Sequence, residues 1–180
     1  MAQGQGKLFS IGHIFRPERD KDTIFISDAT RFQQDVRRNS NGLINANGGV
    51  IYFGITTSGR VEGVYVSRTR EDEYRLTVDC TIGSFQPFYA PFNYRIIFHP
   101  INKTDYKVIE LKISAGAPGQ IYEDGQQKLY LFSDNEVLGP LWPLEIQHLV
   151  KKRFQESLKS FTGLESYTTP ALAKRQKQCT

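Results

Sequence analysis

The chain has 180 residues, 39% of them hydrophobic and 23% charged, with a formal net charge of +4 and a pI near 9.0. This suits one globular domain, at about 150 residues per domain, and the mild basicity suits a polyanion partner. Two cysteines, Cys80 and Cys179, exclude a disulfide framework; no apolar run reaches about 18 residues, which excludes a membrane-spanning helix, and no secretory signal pattern is present.

Met1–Lys7 is Gly/Gln-rich and reads as disordered. Leu8–Phe15 is apolar and is expected to form an edge strand. Residues 16–22 form a charged loop, and Thr23–Ile26 a short strand. Asp28 is placed to cap a helix that starts at Ala29, with Phe32 and Val36 on one face. Asn39-Ser40-Asn41 is a candidate break before Leu43 and Ile44. Gly48-Gly49 then stops the helix. Residues 50–55 are β-branched and aromatic and read as a buried strand. A turn at 56–59 leads to a second strand over 60–66, returning beside the first.

Ser67 caps a helix carrying Tyr74, Val78 and Ile82 and ending near Phe85. Residues 92–101 and 106–114 form an antiparallel hairpin in which Glu110 and Lys112 alternate with Ile109, Leu111 and Ile113, so one face is wet. Asp124-Gly125 predicts a further hairpin between 120–123 and 128–132. Pro143 opens an amphipathic helix with Ile146, Leu149, Val150, Phe154, Leu158 and Phe161 on one stripe. The order gives an α+β fold, a mostly antiparallel or mixed sheet with helices packed on it. The domain spans residues 8–161, and residues 162–180 form a basic tail expected to be disordered.

The motif N-A-N-G-G-x-I-x-F-G-I-x-x-x-G-x-V-x-G-V, carried by Asn45, Asn47, Gly48, Gly49, Gly54, Gly59, Val61 and Gly63, resembles the hallmark of the Schlafen AlbA_2 domain. The run from Tyr130 to Ile146 has the rhythm of the family's later motif. The resemblance spans roughly residues 10–155 and implies a single AlbA_2-like lobe.

Catalytic Schlafen domains are metal-dependent RNA endonucleases with an acidic trio: a Glu, a second Glu within E-F-K, and an Asp after the following strand. Clustered carboxylates of this kind hold Mg²⁺ or Mn²⁺, which activates water. On this chain the first acid falls at Asp20, with Glu18 near, the second at Phe25 and the third at Thr56 or Thr57. No catalytic residue is therefore assigned. Some relatives carry a structural zinc. Cys80 stands at its first ligand position, but residues 85–92 hold no Cys or His, so Cys80 reads as a buried small residue and no metal site is assigned. His13, His99 and His148 read as isolated.

What remains is binding. Arg37, Arg38, Arg60, Arg68, Arg70, Arg75, Arg95 and Lys128 are candidates to contact the phosphates of structured or single-stranded RNA. The resemblance implies a non-catalytic subunit that pairs with a catalytic Schlafen-like protein, as in the piRNA-precursor nuclease of the family or around tRNA-like substrates. It implies no cofactor in this chain, with Mg or Mn in the partner. Partner contact is expected near residues 85–92 or at Trp142. The alternatives are an active nuclease using Glu18, Asp20 and Glu62, and an AlbA_2-type DNA-binding regulator. The expected compartment is intracellular and cytoplasmic, at a membrane surface if a longer native chain carries an anchor.

Overall fold

The apolar run after Gly48-Gly49 forms the strand against which the sheet is registered. The computed structural model describes residues 9–17 and 22–165. The expected disorder of Met1–Lys7, the acids Glu18 and Asp20, and residues 166–180 of the expected tail lie outside the described residues, whereas residues 162–165 of that tail are helical rather than disordered. In chain order the elements are β1 (Thr23–Ile26), α1 (Phe32–Ile44), β2 (Gly49–Phe53), β3 (Val64–Tyr65), α2 (Arg68–Gly83), a 3-10 turn (Pro91–Asn93), β4 (Tyr94–Pro100), β5 (Tyr106–Ile113), β6 (Leu131–Ser133), β7 (Glu136–Leu138) and α3 (Pro143–Glu165). The α+β expectation holds, and the sheet is mixed. β1 runs parallel to β2, from Thr23 opposite Val50 to Ile26 opposite Phe53. β5 is antiparallel to β2 on one side and to β4 on the other. The short β3 pairs with β5 at Lys107 and Tyr106.

Among the described residues, those up to 116 together with 121–141 form one compact unit, and 117–120 with 142–165 form another. In the first, α1 contributes Phe32, Val36, Leu43 and Ile44 and α2 contributes Val78 and Ile82 to a core with Ile51, Phe53, Ile109 and Leu111 of the sheet. Each fully buried side chain of this size stabilises by about 1.5–3 kcal/mol. The opposite sheet face carries a second cluster with Phe9, Val50, Tyr52, Ile55, Val61 and Val108. In the second unit, Trp142 N–H donates to Glu145 Oε2 (2.7 Å) at the start of α3. Leu149 is buried, whereas Trp142, Leu144, Val150, Phe154 and Leu158 are exposed.

Five local expectations are corrected. α1 begins at Phe32, not Ala29, and its cap position holds Arg31 without a side-chain bond. Asp28 instead accepts from Thr30 Oγ1 (2.6 Å) and Thr30 N–H (2.8 Å). These bonds hold its carboxyl below the usual range and form a local turn that competes with helix initiation. Asn39-Ser40-Asn41 does not break α1, because all three are buried within it and Asn41 bonds to backbone elsewhere.

The return over 60–66 is mostly not a strand. Glu62 and Gly63 N–H both donate to Gly54 O (2.9 Å each), after which the chain leaves β2 and β3 joins β5. Of the expected edge strand at 8–15, the described residues 9–15 supply one bridge, Ile14 to Arg60, rather than a strand. Residues 120–132 form no hairpin. Asp124 Oδ1 accepts from Gln126 N–H (2.8 Å) and Lys128 N–H (3.0 Å) to close a tight turn, and the strands form later, as β6 and β7.

Burial pushes the phenols of Tyr89, Tyr94 and Tyr130 upward, with Asp79 adding to the shift at Tyr94 and Asp124 at Tyr130. Unfolded tyrosines ionise near pH 10. The folded state therefore keeps protons that the unfolded chain releases: stability is intact below about pH 10 and falls as pH rises past it. Urea unfolding at pH 8, 10 and 11 is expected to show this fall, reduced in Tyr89→Phe.

Candidate nucleic-acid interface

Phe25 stands in the middle of β1, opposite Tyr52 of β2. Its ring lies 5.9 Å from that of Tyr52 and 6.2 Å from that of Phe15. Phe15 also packs edge-on against Tyr52 (5.1 Å) and at a tilt against Phe9 (4.9 Å). The N-terminal segment thus lays an aromatic layer over this sheet face. The next position of interest, Thr56, follows β2. Its Oγ1 pairs with Ser58 Oγ (2.9 Å) and accepts from Arg60 N–H (3.1 Å), closing the turn. Phe25 and Thr56 offer no carboxylate and do not fit a divalent cation. Among the described residues no group of three or more His, Cys, Asp or Glu side chains is arranged to hold a metal ion. Cys80 is exposed on α2, not buried as expected.

Seven of the eight basic candidates fall into three settings; the eighth, Arg95, is exposed on β4. Arg37 and Arg38, on α1, are tied to the backbone: Arg37 Nη1 donates to Asp124 O (2.7 Å) and Ser84 Oγ (3.4 Å), and Arg38 Nη2 to Val137 O (2.7 Å). Lys128 extends an exposed side chain from the Asp124 turn beside them. Arg60 is exposed where the 56–60 turn closes, bridging Ile14.

Arg68, Arg70 and Arg75 lie on α2, where Arg70 sits 5.9 Å above the Tyr65 ring and Arg75 4.9 Å above Phe98. Glu71 takes both Lys107 and, at 4.0 Å, Arg75. Tyr65 packs edge-on to Tyr106 (5.9 Å), which carries Lys103 Nζ 3.4 Å above it. Arg70 therefore adjoins a cation–aromatic corner with Tyr65, Tyr106 and Lys103, whose aromatic members charge counting along the sequence passes over. Aromatic faces flanked by cations are the usual elements of single-strand binding.

The family model for the Schlafen AlbA_2 domain matches residues 19–137. The chain belongs to the Schlafen AlbA_2 family. Among solved structures, the DIP2311 protein from Corynebacterium diphtheriae is 14% identical with a TM-score of 0.53, over 72% of this chain and 24% of that one. At this identity the likeness is one of fold. This chain spans about a quarter of that protein's length.

Membership ties this Schlafen AlbA_2 chain to nucleic-acid-related function. Its hallmark residues are structural. Asn45 binds the backbone at Tyr122 and Tyr130. Gly48 adopts φ +74°, and a Cβ there would fall 2.6 Å from Ile113 O, so only glycine lets α1 turn into β2 against β5.

Beneath the aromatic layer, Tyr52 O–H donates to Glu110 Oε1 (2.8 Å), and His99 Nε2 lies 2.7 Å from Glu110 Oε2. Glu110 is 1% exposed and His99 7%. The expected wet face is thus dry at Glu110, and His99 is not isolated. Lys112, with Arg95 across from it on β4, carries that face into solvent. Of the expected partner patch, Phe85 and Tyr89 are core, while Phe88 and Phe92 are exposed. No helix among the described residues is long and apolar enough to cross a membrane.

Proposed function

We propose that this chain is a non-catalytic Schlafen-like subunit that pairs with a catalytic Schlafen-like protein to form an RNA-processing endoribonuclease, with a piRNA precursor or tRNA-like RNA as substrate. The observation that carries the reading is Phe25, an apolar ring packed among Phe15 and Tyr52 where the family's catalytic members are expected to hold an acid. A sheet face filled this way serves packing rather than cation binding. The chain then supplies positive surface to the RNA groove through Arg60, Arg68, Arg70, Arg75 and Lys128, with Arg37 and Arg38 contributing charge from their anchored positions.

The test mixes the purified chain with a catalytic Schlafen-like protein and structured RNA in Mn²⁺. The expected result is a stable complex, cleavage by the pair and none by this chain alone. Cleavage by the chain alone that Asp20→Ala abolishes would overturn the reading in favour of an active site built on Glu18, Asp20 and Glu62. Specific retention of duplex DNA over RNA would favour a DNA-binding regulator instead.

Phe25→Glu is expected to lower stability by about 1–3 kcal/mol, since it sets a carboxylate among aromatic rings. It is expected to confer no cleavage, because Thr56 still lacks an acid. Thermal unfolding and the same RNA assay check both halves.

A further inference from the structure

β4 is an edge strand whose one ladder partner among the described residues is β5. The hydrogen-bond parity follows from the two ends of this ladder. Ser114 N–H donates to Asn93 O (2.8 Å) and Ile101 N–H to Tyr106 O (3.3 Å). Odd-numbered residues from 93 to 101 therefore turn their backbone groups toward β5. Those of Tyr94, Ile96 and Phe98 face outward, and Pro100, with no N–H to offer, ends the run.

A groove of about 470 Å³ lies beside this edge, lined by Arg75 and Asp79 of α2 and by Tyr94, Arg95, Ile97 and Phe98 of β4, among others. Two of its charges are already engaged. Asp79 Oδ1 accepts from Tyr94 O–H (3.0 Å), and Arg75 lies over Phe98 near Glu71. Arg95 is different. It is exposed, has no hydrogen bond or ion pair from its side chain among the described residues, and stands directly across from Lys112. Like charges opposed across a ladder are destabilising, and an acidic side chain beside them relieves the repulsion.

We propose that β4 is a docking edge that takes an extended strand from a partner protein. The incoming strand sets an acidic residue beside Arg95 and apolar residues beside Ile96 and Phe98, on the side facing α2. The inference rests on the heteromeric reading only for the partner's identity, the catalytic Schlafen-like subunit. A second copy of this chain fits the edge less well. With Ile96 set opposite Phe98 of the other copy, each Pro100 falls opposite a Tyr94 and forfeits a bond at both ends.

The probe is an acetylated Thr-Val-Val-Leu-Glu-Val-Thr peptide, which in antiparallel register sets Glu beside Arg95 and Leu beside Ile96. Added to the isotopically labelled full chain, it is expected to protect the Ile96 and Phe98 amides from exchange while leaving those of Arg95 and Ile97, already in the ladder, unchanged. Arg95→Glu is expected to weaken the peptide at least about fivefold, and a Lys-for-Glu peptide to regain the loss. Unprotected Ile96 and Phe98 amides, equal binding by the variant, or a dimer of the chain that occupies the edge would each overturn the proposal. If Arg95→Glu leaves a catalytic Schlafen complex intact, the docking edge falls and the proposed function stands. If the peptide docks but no such complex forms, the edge stands and the proposed function falls.

Discussion

Asn45→Ala is expected to cost the fold about 3–5 kcal/mol, read from urea unfolding. Asn45 is 1% exposed near the end of α1. Its Nδ2 donates to Tyr122 O (2.7 Å) and Tyr130 O (3.0 Å), and its Oδ1 accepts from Tyr122 N–H (2.8 Å). One turn earlier, Asn41 donates to Tyr122 O (2.8 Å) and accepts from Tyr130 N–H (2.8 Å). Two carboxamides on one helix face thus stand in for a neighbouring strand and hold the backbone at Tyr122 and Tyr130, beyond the Asp124 N–H to Lys128 O bond (2.8 Å) that closes the turn between them. Truncating Asn45 removes this partner from two buried backbone groups, Tyr122 N–H and Tyr130 O, each worth about 1–3 kcal/mol, and leaves Tyr122 O to Asn41. Asn45→Asp is expected to be no milder, since it loses both donated bonds and buries a charge. A loss below about 1 kcal/mol would mean that these segments find other partners, and the pinning account would be wrong.

That network also explains where the sequence could be read and where it could not. The 3.6-residue stripe of α2, the apolar run of β2 and the alternation in β5 report burial that each element achieves locally, so the α+β order was legible. The 120–132 stretch has hairpin chemistry in Asp124-Gly125, but its backbone is claimed by asparagines about eighty residues away, a demand that no local pattern records. Glu110 misled in the same way. Alternation put it on the second sheet face, and nothing in β5 says that Phe9 and Phe15 cover that face. The basic candidates were legible as charges, not as geometry. Arg37 and Arg38 look free along the chain, yet each is bound to a carbonyl, whereas Tyr65 and Tyr106 meet only because β3 pairs with β5.

Glu110→Ala is expected to cost about 3 kcal/mol or more and to loosen the Phe9–Phe15–Tyr52 layer. The carboxylate serves Tyr52 O–H through one oxygen and His99 through the other, with Lys112 Nζ 3.9 Å from the first. Removing it takes a bond from a buried phenol and a buried imidazole in a site largely closed to water, where solvent substitutes poorly. Glu110→Gln separates the two ways this residue could act. It keeps an acceptor for Tyr52 and a polar group for His99 but carries no charge, so if acceptor geometry holds the face together its loss should be less than half that of Glu110→Ala. Equal losses would assign the stabilisation to charge. Tyr52→Phe combined with Glu110→Ala closes the cycle: because either single change already removes the Tyr52 O–H to Glu110 bond, the double variant is expected to cost less than the sum of the two single ones. Additive losses would show that the 2.8 Å bond contributes nothing, and that packing of the rings alone holds the aromatic layer over the sheet.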